Sequence, residues 1–101
     1  MKSKYKLKNE HNVDGYIVFI GNVEIISQAF SFRQIIIEVE AGGYTQEIAF
    51  DFVNDKIFLS SGYALRDHVH IVFQLTGRGK IGDKGKKKWY VNLQAVNISK
   101  I

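Results

Sequence analysis

The chain has 101 residues, no cysteine, no proline and a net charge of +4 at pH 7. That length fits one domain with a core of its own, and the lack of cysteine excludes disulfides and thiolate metal sites. Apolar runs such as Ile35-Ile36-Ile37 are far too short to span a membrane, so no membrane partner is expected.

Charge is spread unevenly. Residues 2 to 8 hold four lysines and no acid, and residues 78 to 88 hold six cations against one acid, Asp83. The rest of the chain is therefore acidic on balance. Two basic patches on an acidic body suit a polyanionic partner approached from particular sides. They also suit tails and loop tips that only keep a small β protein soluble, and charge alone leaves the two readings level. The opening stretch, MKSKYKLKNEHNVDG, has no apolar segment behind it and is no secretory signal. Asn97-Ile98-Ser99 fits the glycosylation sequon, which carries no meaning without secretion. The expected location is the cytoplasm.

In chain order, residues 1 to 12 read as a basic N-terminal arm and 13 to 101 as one domain. The first strand is predicted over about 15 to 27, with Gly21 in its middle, where a strand can bend sharply. Phe30 and Phe32 fall in or beside the turn that follows. The second strand, 33 to 39, buries Ile35, Ile37 and Val39. After a turn at Ala41-Gly42-Gly43-Tyr44, the third strand, 46 to 52, buries Ile48, Phe50 and Phe52 and turns Glu47, Ala49 and Asp51 outward. A short helix is predicted over about 55 to 65, with Asp55 as its N-cap and Gly62 as its stop. The fourth strand, 69 to 75, points Val69, Ile71, Phe73 and Leu75 inward. A long basic loop then leads to the fifth strand, 89 to 95. Its phase sends Trp89, Val91, Leu93 and Ala95 inward and Tyr90, Asn92 and Gln94 outward. Trp89 is thus assigned to the core or barrel rim, with a stacking role left open, and Tyr90 is the better stacking candidate. Five strands with a short helix between the third and fourth give an all-β, five-stranded Greek-key barrel, the OB-fold. An SH3-like barrel would join its last strands by a tight turn.

No catalytic constellation emerges. Gly77, Gly79 and Gly82 spell G-x-G-x-x-G, but a dinucleotide site needs a helix after the glycines, and here a strand follows. No Gly-Lys pair is followed by Ser or Thr as a phosphate loop requires. His68 and His70 share the outward face of a strand without an evident third ligand, and two exposed histidines are the expectation. Pairs of acids such as Glu38 and Glu40, or Asp51 and Asp55, have no nucleophile beside them. The expectation is a non-enzyme without metal or cofactor.

Nucleic-acid binding is the class that remains. Proteins that hold single strands combine a cationic groove for phosphates with aromatic faces for bases. Cations and aromatics adjoin in three places. These are Phe30-Ser31-Phe32-Arg33, then Tyr44, then the loop of Arg78, Lys80, Lys84, Lys86, Lys87 and Lys88 running into Trp89-Tyr90. The first and last lie in loops that flank the binding face of an OB barrel. The acidic row Glu47 and Asp51 repels phosphate, so a bound backbone is expected to follow the basic loops and avoid the third strand.

The segments GNVEIIS, FSFRQIIIEVE, YTQEIAFDFVNDKI and SGYALRDHVHIVFQLTGR, in that order, resemble a family of small bacterial and phage OB-fold proteins. That family is catalogued as an uncharacterised domain akin to single-stranded DNA-binding proteins. The resemblance runs over about residues 15 to 100. It rests on Phe30 to Arg33, Tyr44 with Gln46, Gly77-Arg78, and an aromatic pair ahead of Asn92 and Leu93. It implies single-strand binding, with Arg33, Tyr44, Gln46, Arg78 and Tyr90 as matching surface positions. The chain departs in its longer, lysine-rich last loop. It also lacks the acidic C-terminal tail by which many such proteins recruit partners, so recruitment by that route is not expected. Together these readings give a sequence-tolerant single-stranded DNA-binding protein of replication or recombination, in the host cytoplasm if phage-encoded. RNA as ligand, a protein-interaction module and a homo-oligomer stay open as alternatives.

Overall fold

The computed structural model describes residues 9–101, so the four lysines of residues 2 to 8 and the first part of the basic N-terminal arm lie outside the described residues. Six strand segments and one 3-10 turn follow in order: β1 (His11–Ile20), β2 (Glu24–Ser27), β3 (Phe30–Ala41), β4 (Tyr44–Val53), the 3-10 turn (Asn54–Ser60), β5 (His68–Ile81) and β6 (Lys87–Lys100). β1 and β2 are the two halves of the predicted first strand, parted at residues 21–23. The bend sits at Gly21. Its N–H donates to the Gln34 carbonyl at 2.8 Å, and a Cβ there would meet that carbonyl oxygen at 3.2 Å. Glycine lets the chain come that close.

The barrel closes in five steps. β1 pairs antiparallel with both β3 and β5, β3 with β4, and β5 with β6. A single parallel pairing, Asp51 with Gln94, joins β4 to β6. Counting β1 and β2 as one strand, this is the five-stranded OB barrel that the strand order predicts. Its core is Ile17, Ile35, Ile37, Phe50, Phe52, Val69, Ile71, Ala95 and Ile98, all buried. Phe73 and Leu93 are partly buried against it, and Phe73 meets Phe50 edge-on at 5.0 Å between ring centroids.

Two expectations need correction. The short helix expected between the third and fourth strands is present as a 3-10 helix, but it begins at Asn54 and ends at Ser60, with Val53 at the cap position and no side-chain cap bond. Asn54 starts it in a left-handed conformation, φ 53°, and its side-chain oxygen accepts the Ser31 N–H at 2.9 Å. That cross-link fixes where the turn starts, so Asp55 falls inside its first turn.

The larger correction concerns the basic loop. β5 and β6 are 14 residues each and stay paired until Ile81 faces Lys87. Among the described residues, β1 pairs with β5 as far as Phe73, with the Asn9 side chain bonding the Leu75 backbone just beyond. Beyond it the two strands project as a ribbon, and the loop shrinks to a tight tip. There Gly82 donates to the Lys86 carbonyl at 2.8 Å and Gly85 to the Gly82 carbonyl at 3.0 Å. Gly85 has φ 73°, a conformation that side-chain-bearing residues seldom adopt. Val91, expected inside, is 70% exposed on this ribbon.

Candidate nucleic-acid interface

Successive residues of a strand point to opposite faces, so the register of the ribbon decides what each face carries. Thr76 faces Asn92, Arg78 faces Tyr90 and Lys80 faces Lys88. Those side chains share one face, which is polar and cationic. The other face carries Leu75, Trp89, Val91 and Ile81, with Lys87 opposite Ile81.

Two clefts open on the cationic side. Near the tip, a cleft of about 480 Å³ brings together Lys80, Lys84, Lys86, Lys88 and Tyr90, with Asp83 as the one acid. At the base of the ribbon, a cleft of about 310 Å³ lies between Tyr90 and Phe30, lined by Thr76, Arg78, Asn92 and Gln94. Tyr90 belongs to both and is 47% exposed. Phe30 arrives from the start of β3, because barrel closure sets β6 beside the β4–β3 pair. It is 40% exposed, and its ring tilts against that of the half-buried Phe32 at 5.9 Å. The arrangement can do two things: attract an anionic backbone along the tip and offer flat apolar rings to a base at the foot.

Several candidates from the sequence fall elsewhere. Trp89, placed by phase in the core or rim, is 72% exposed, because among the described residues no strand covers the ribbon there. Lys87 joins it on the apolar face, its ammonium 5.7 Å from the indole centroid, a cation–π distance. The Lys87 stem also fills the space above Gly79. Lys87 is thereby turned away from the other tip lysines. Arg33 is half-buried rather than a surface cation. Its Nε donates to the Gly21 carbonyl at 3.0 Å and its guanidinium reaches the Ser60 hydroxyl at 3.4 Å. Arg33 clamps the bend of the first strand to the 3-10 turn. Tyr44 and Gln46 are exposed at the opposite end of β3, on the hairpin with β4, and line neither cleft. Thr76, Asn92 and Gln94 were not among the sequence candidates. The outward phase of the fifth strand marked the last two, but only the register with β5 brings them to Arg78 and Phe30.

The sequence matches the family described as "Domain of unknown function (DUF3127)" over residues 12–99. The chain belongs to that family. Among solved structures, it resembles the mitochondrial single-stranded DNA binding protein Rim1 of S. cerevisiae, at 16% identity and TM-score 0.67 over 91% of this chain and 93% of that one. The selenomethionine-labelled form of the same protein gives 15% identity and TM-score 0.59 over the same shares. At such identities the likeness establishes the fold. In a comparison with curated proteins, none matches.

This DUF3127 domain is electrically two-ended. Away from the ribbon, Asp14, Glu38 and Glu40 surround a third cleft beside Tyr16 and His68, and Glu47 stands opposite Glu38. The histidines are engaged rather than simply exposed. His68 stacks on Tyr16 at 4.4 Å between centroids, and His70 pairs with the Asp14 carboxylate. Among the described residues, no group of three or more His, Cys, Asp or Glu is placed to hold a metal ion. On the outer row of β4, burial pushes the Asp51 carboxyl above its ordinary pKa, with the Gln34 amide partly opposing.

Proposed function

We propose that this DUF3127 domain is a sequence-tolerant single-stranded DNA-binding protein, not an enzyme. The observation that carries the reading is the continuous surface from the tip cleft to the foot of the ribbon. Four lysines occupy one end of it, and Tyr90 leads to Phe30 at the other. Single strands demand that combination: phosphates take the cations, and each stacked base adds about 1–3 kcal/mol. The shared fold of a protein described as single-stranded DNA binding supports the same reading. The proposal extends to a role in protecting strands during replication or recombination, in the cytoplasm of a bacterium or of a phage's host. The acidic end turns phosphate away, so the strand runs along the ribbon and past Phe30 rather than across Glu38 and Glu47.

The test is a titration of labelled oligo-dT, duplex DNA and RNA at two salt concentrations. Oligo-dT is expected to bind more tightly than duplex, with affinity falling as salt rises. Equal or tighter binding of RNA would move the assignment to RNA. A second reading draws on the ribbon's other face, where Trp89, Val91 and Ile81 are exposed together. A face of that kind suits a protein partner, a second copy of this chain included. Failure to bind any of the three nucleic acids puts this reading first.

A further inference from the structure

Resting on the single-strand reading above, we propose that the cleft between Phe30 and Tyr90 is a single-nucleobase subsite that prefers guanine. Its place in the charge pattern points to a base rather than a phosphate. The lysines lie toward the tip, whereas Gln94 at the foot is paired in register with the acidic Asp51. With Arg78 as its one cation and Asp51 beside it, that end draws a phosphate far less than the tip does, and its two rings suit a neutral base. The cleft, about 310 Å³, has room for a purine, and its two aromatic rings come from different strands.

Its polar lining sets the preference. The Asn92 and Gln94 carboxamides each present a donor and an acceptor. By turning over, such a group fits an edge of any base, so on its own it gives tolerance. Arg78 differs, because a guanidinium is a rigid fork of donors with no acceptor. It fits two adjacent acceptors, as guanine offers at O6 and N7. Guanine also presents adjacent donors at N1 and N2, which the carboxamide oxygens can accept. The Thr76 hydroxyl donates to the Asn92 carbonyl at 3.2 Å, so its remaining lone pairs also face a base as acceptors. Adenine and thymine lack two acceptors side by side where the fork needs them. Cytosine has such a pair at N3 and O2 but only one donor group to answer the carboxamides. Guanine alone satisfies both halves of the lining.

The experiment uses the full chain and short oligo-dT strands with one interior thymine replaced by dG, dA or dC. A single dG is expected to tighten binding at least about fivefold over all-dT and to exceed dA and dC, the low end of one bidentate base contact. The decisive readout is the ratio of dG to dT affinity in Arg78→Lys. Loss of a phosphate contact weakens every strand alike and leaves that ratio unchanged. Loss of the fork brings the ratio to within about twofold of unity. Asn92→Ala is expected to lower the ratio as well. A dG strand no tighter than the others, or a preference that survives Arg78→Lys, overturns the subsite while leaving oligo-dT binding in place. Absence of oligo-dT binding altogether overturns the single-strand reading itself.

Discussion

The lower and upper halves of the β5–β6 hairpin each alternate, with β6 re-phased by a bulge opposite Val72 and Phe73, and they reach opposite ends. In the lower half, β1 pairs with β5 and the barrel closes over the inner row, so Val69, Ile71, Ala95 and Ile98 are buried. In the upper half, Trp89 and Val91 continue the row that Leu93 and Ala95 begin, and they stand exposed because no further strand among the described residues packs on them. A period of two tells which residues share a face. Whether that face is buried depends on what lies across from it. The upper half spends its outer face on charge and its inner face on exposed apolar rings, a pattern suited to contact with something outside the molecule.

That contrast can be broken most directly by paired truncations. Ile71→Ala, in the lower half, is expected to cost about 2–5 kcal/mol in chemical denaturation, from lost burial and the cavity left behind. Val91→Ala, two-thirds exposed in the upper half, is expected to stay within about 0.5 kcal/mol of the parent. Similar losses at both sites would mean that the ribbon packs against something and is not a free arm.

Arg33 sharpens the comparison from the other side, as a cation placed for structure. Arg33→Ala removes the bonds to the Gly21 carbonyl and to the Ser60 hydroxyl, which keeps its own bond to the Ile57 carbonyl. It is expected to lower stability by about 1–3 kcal/mol, the range for losing hydrogen bonds to a charged group. A variant that keeps its stability but loses oligo-dT affinity would return Arg33 to the ligand surface.

The smallest effects concern pH and carry opposite signs. Asp67 accepts the Ala64 N–H at 2.9 Å and pairs with Lys100 at 3.4 Å, and first that backbone bond, then the lysine, hold its carboxyl below the ordinary value of 3.8. The stability it adds is complete above that value and is lost as pH falls through the lower, folded-state pKa. Asp51 is raised by burial, so its ionisation costs stability once pH climbs past its ordinary value. Melting temperatures should therefore show Asp67→Asn destabilising at pH 7, with a gap to the parent that narrows in acid. Asp51→Asn should be slightly more stable than the parent at pH 7, and that gap should also narrow in acid. Gaps that stay constant down to pH 3 would contradict both assignments.

The barrel was legible because its signals are local. Ile35, Ile37, Phe50 and Phe52 alternate cleanly, and Gly21 marks the bend. The ribbon was not, because β5 and β6 stay paired to a tip turn at Gly82 and Gly85, and the glycine-spaced lysines of residues 76 to 90 read as loop rather than strand. The same reading misplaced Trp89 and Val91. Arg33 reads as a surface cation beside two phenylalanines, and only the folding back of Gly21 and Ser60 gives it partners. The cationic residues of the site could be named from composition. The foot cleft could not, since Phe30 and Gln94 meet only through barrel closure.

The central claim is that the ribbon's cationic face holds a phosphate backbone, and the dependence of oligo-dT affinity on salt tests it most directly. Lys80, Lys84, Lys86 and Lys88 line the tip cleft, so all four are changed to serine, with Lys87→Ser as the control on the opposite face. If about three of the four contact phosphates, at about 0.7 in slope each, the plot of log affinity against log salt should flatten by about 2. The melting temperature should hold, because these side chains are exposed, and Lys87→Ser should leave the slope close to that of the parent. Equal slopes for the parent and the quadruple variant would contradict the claim.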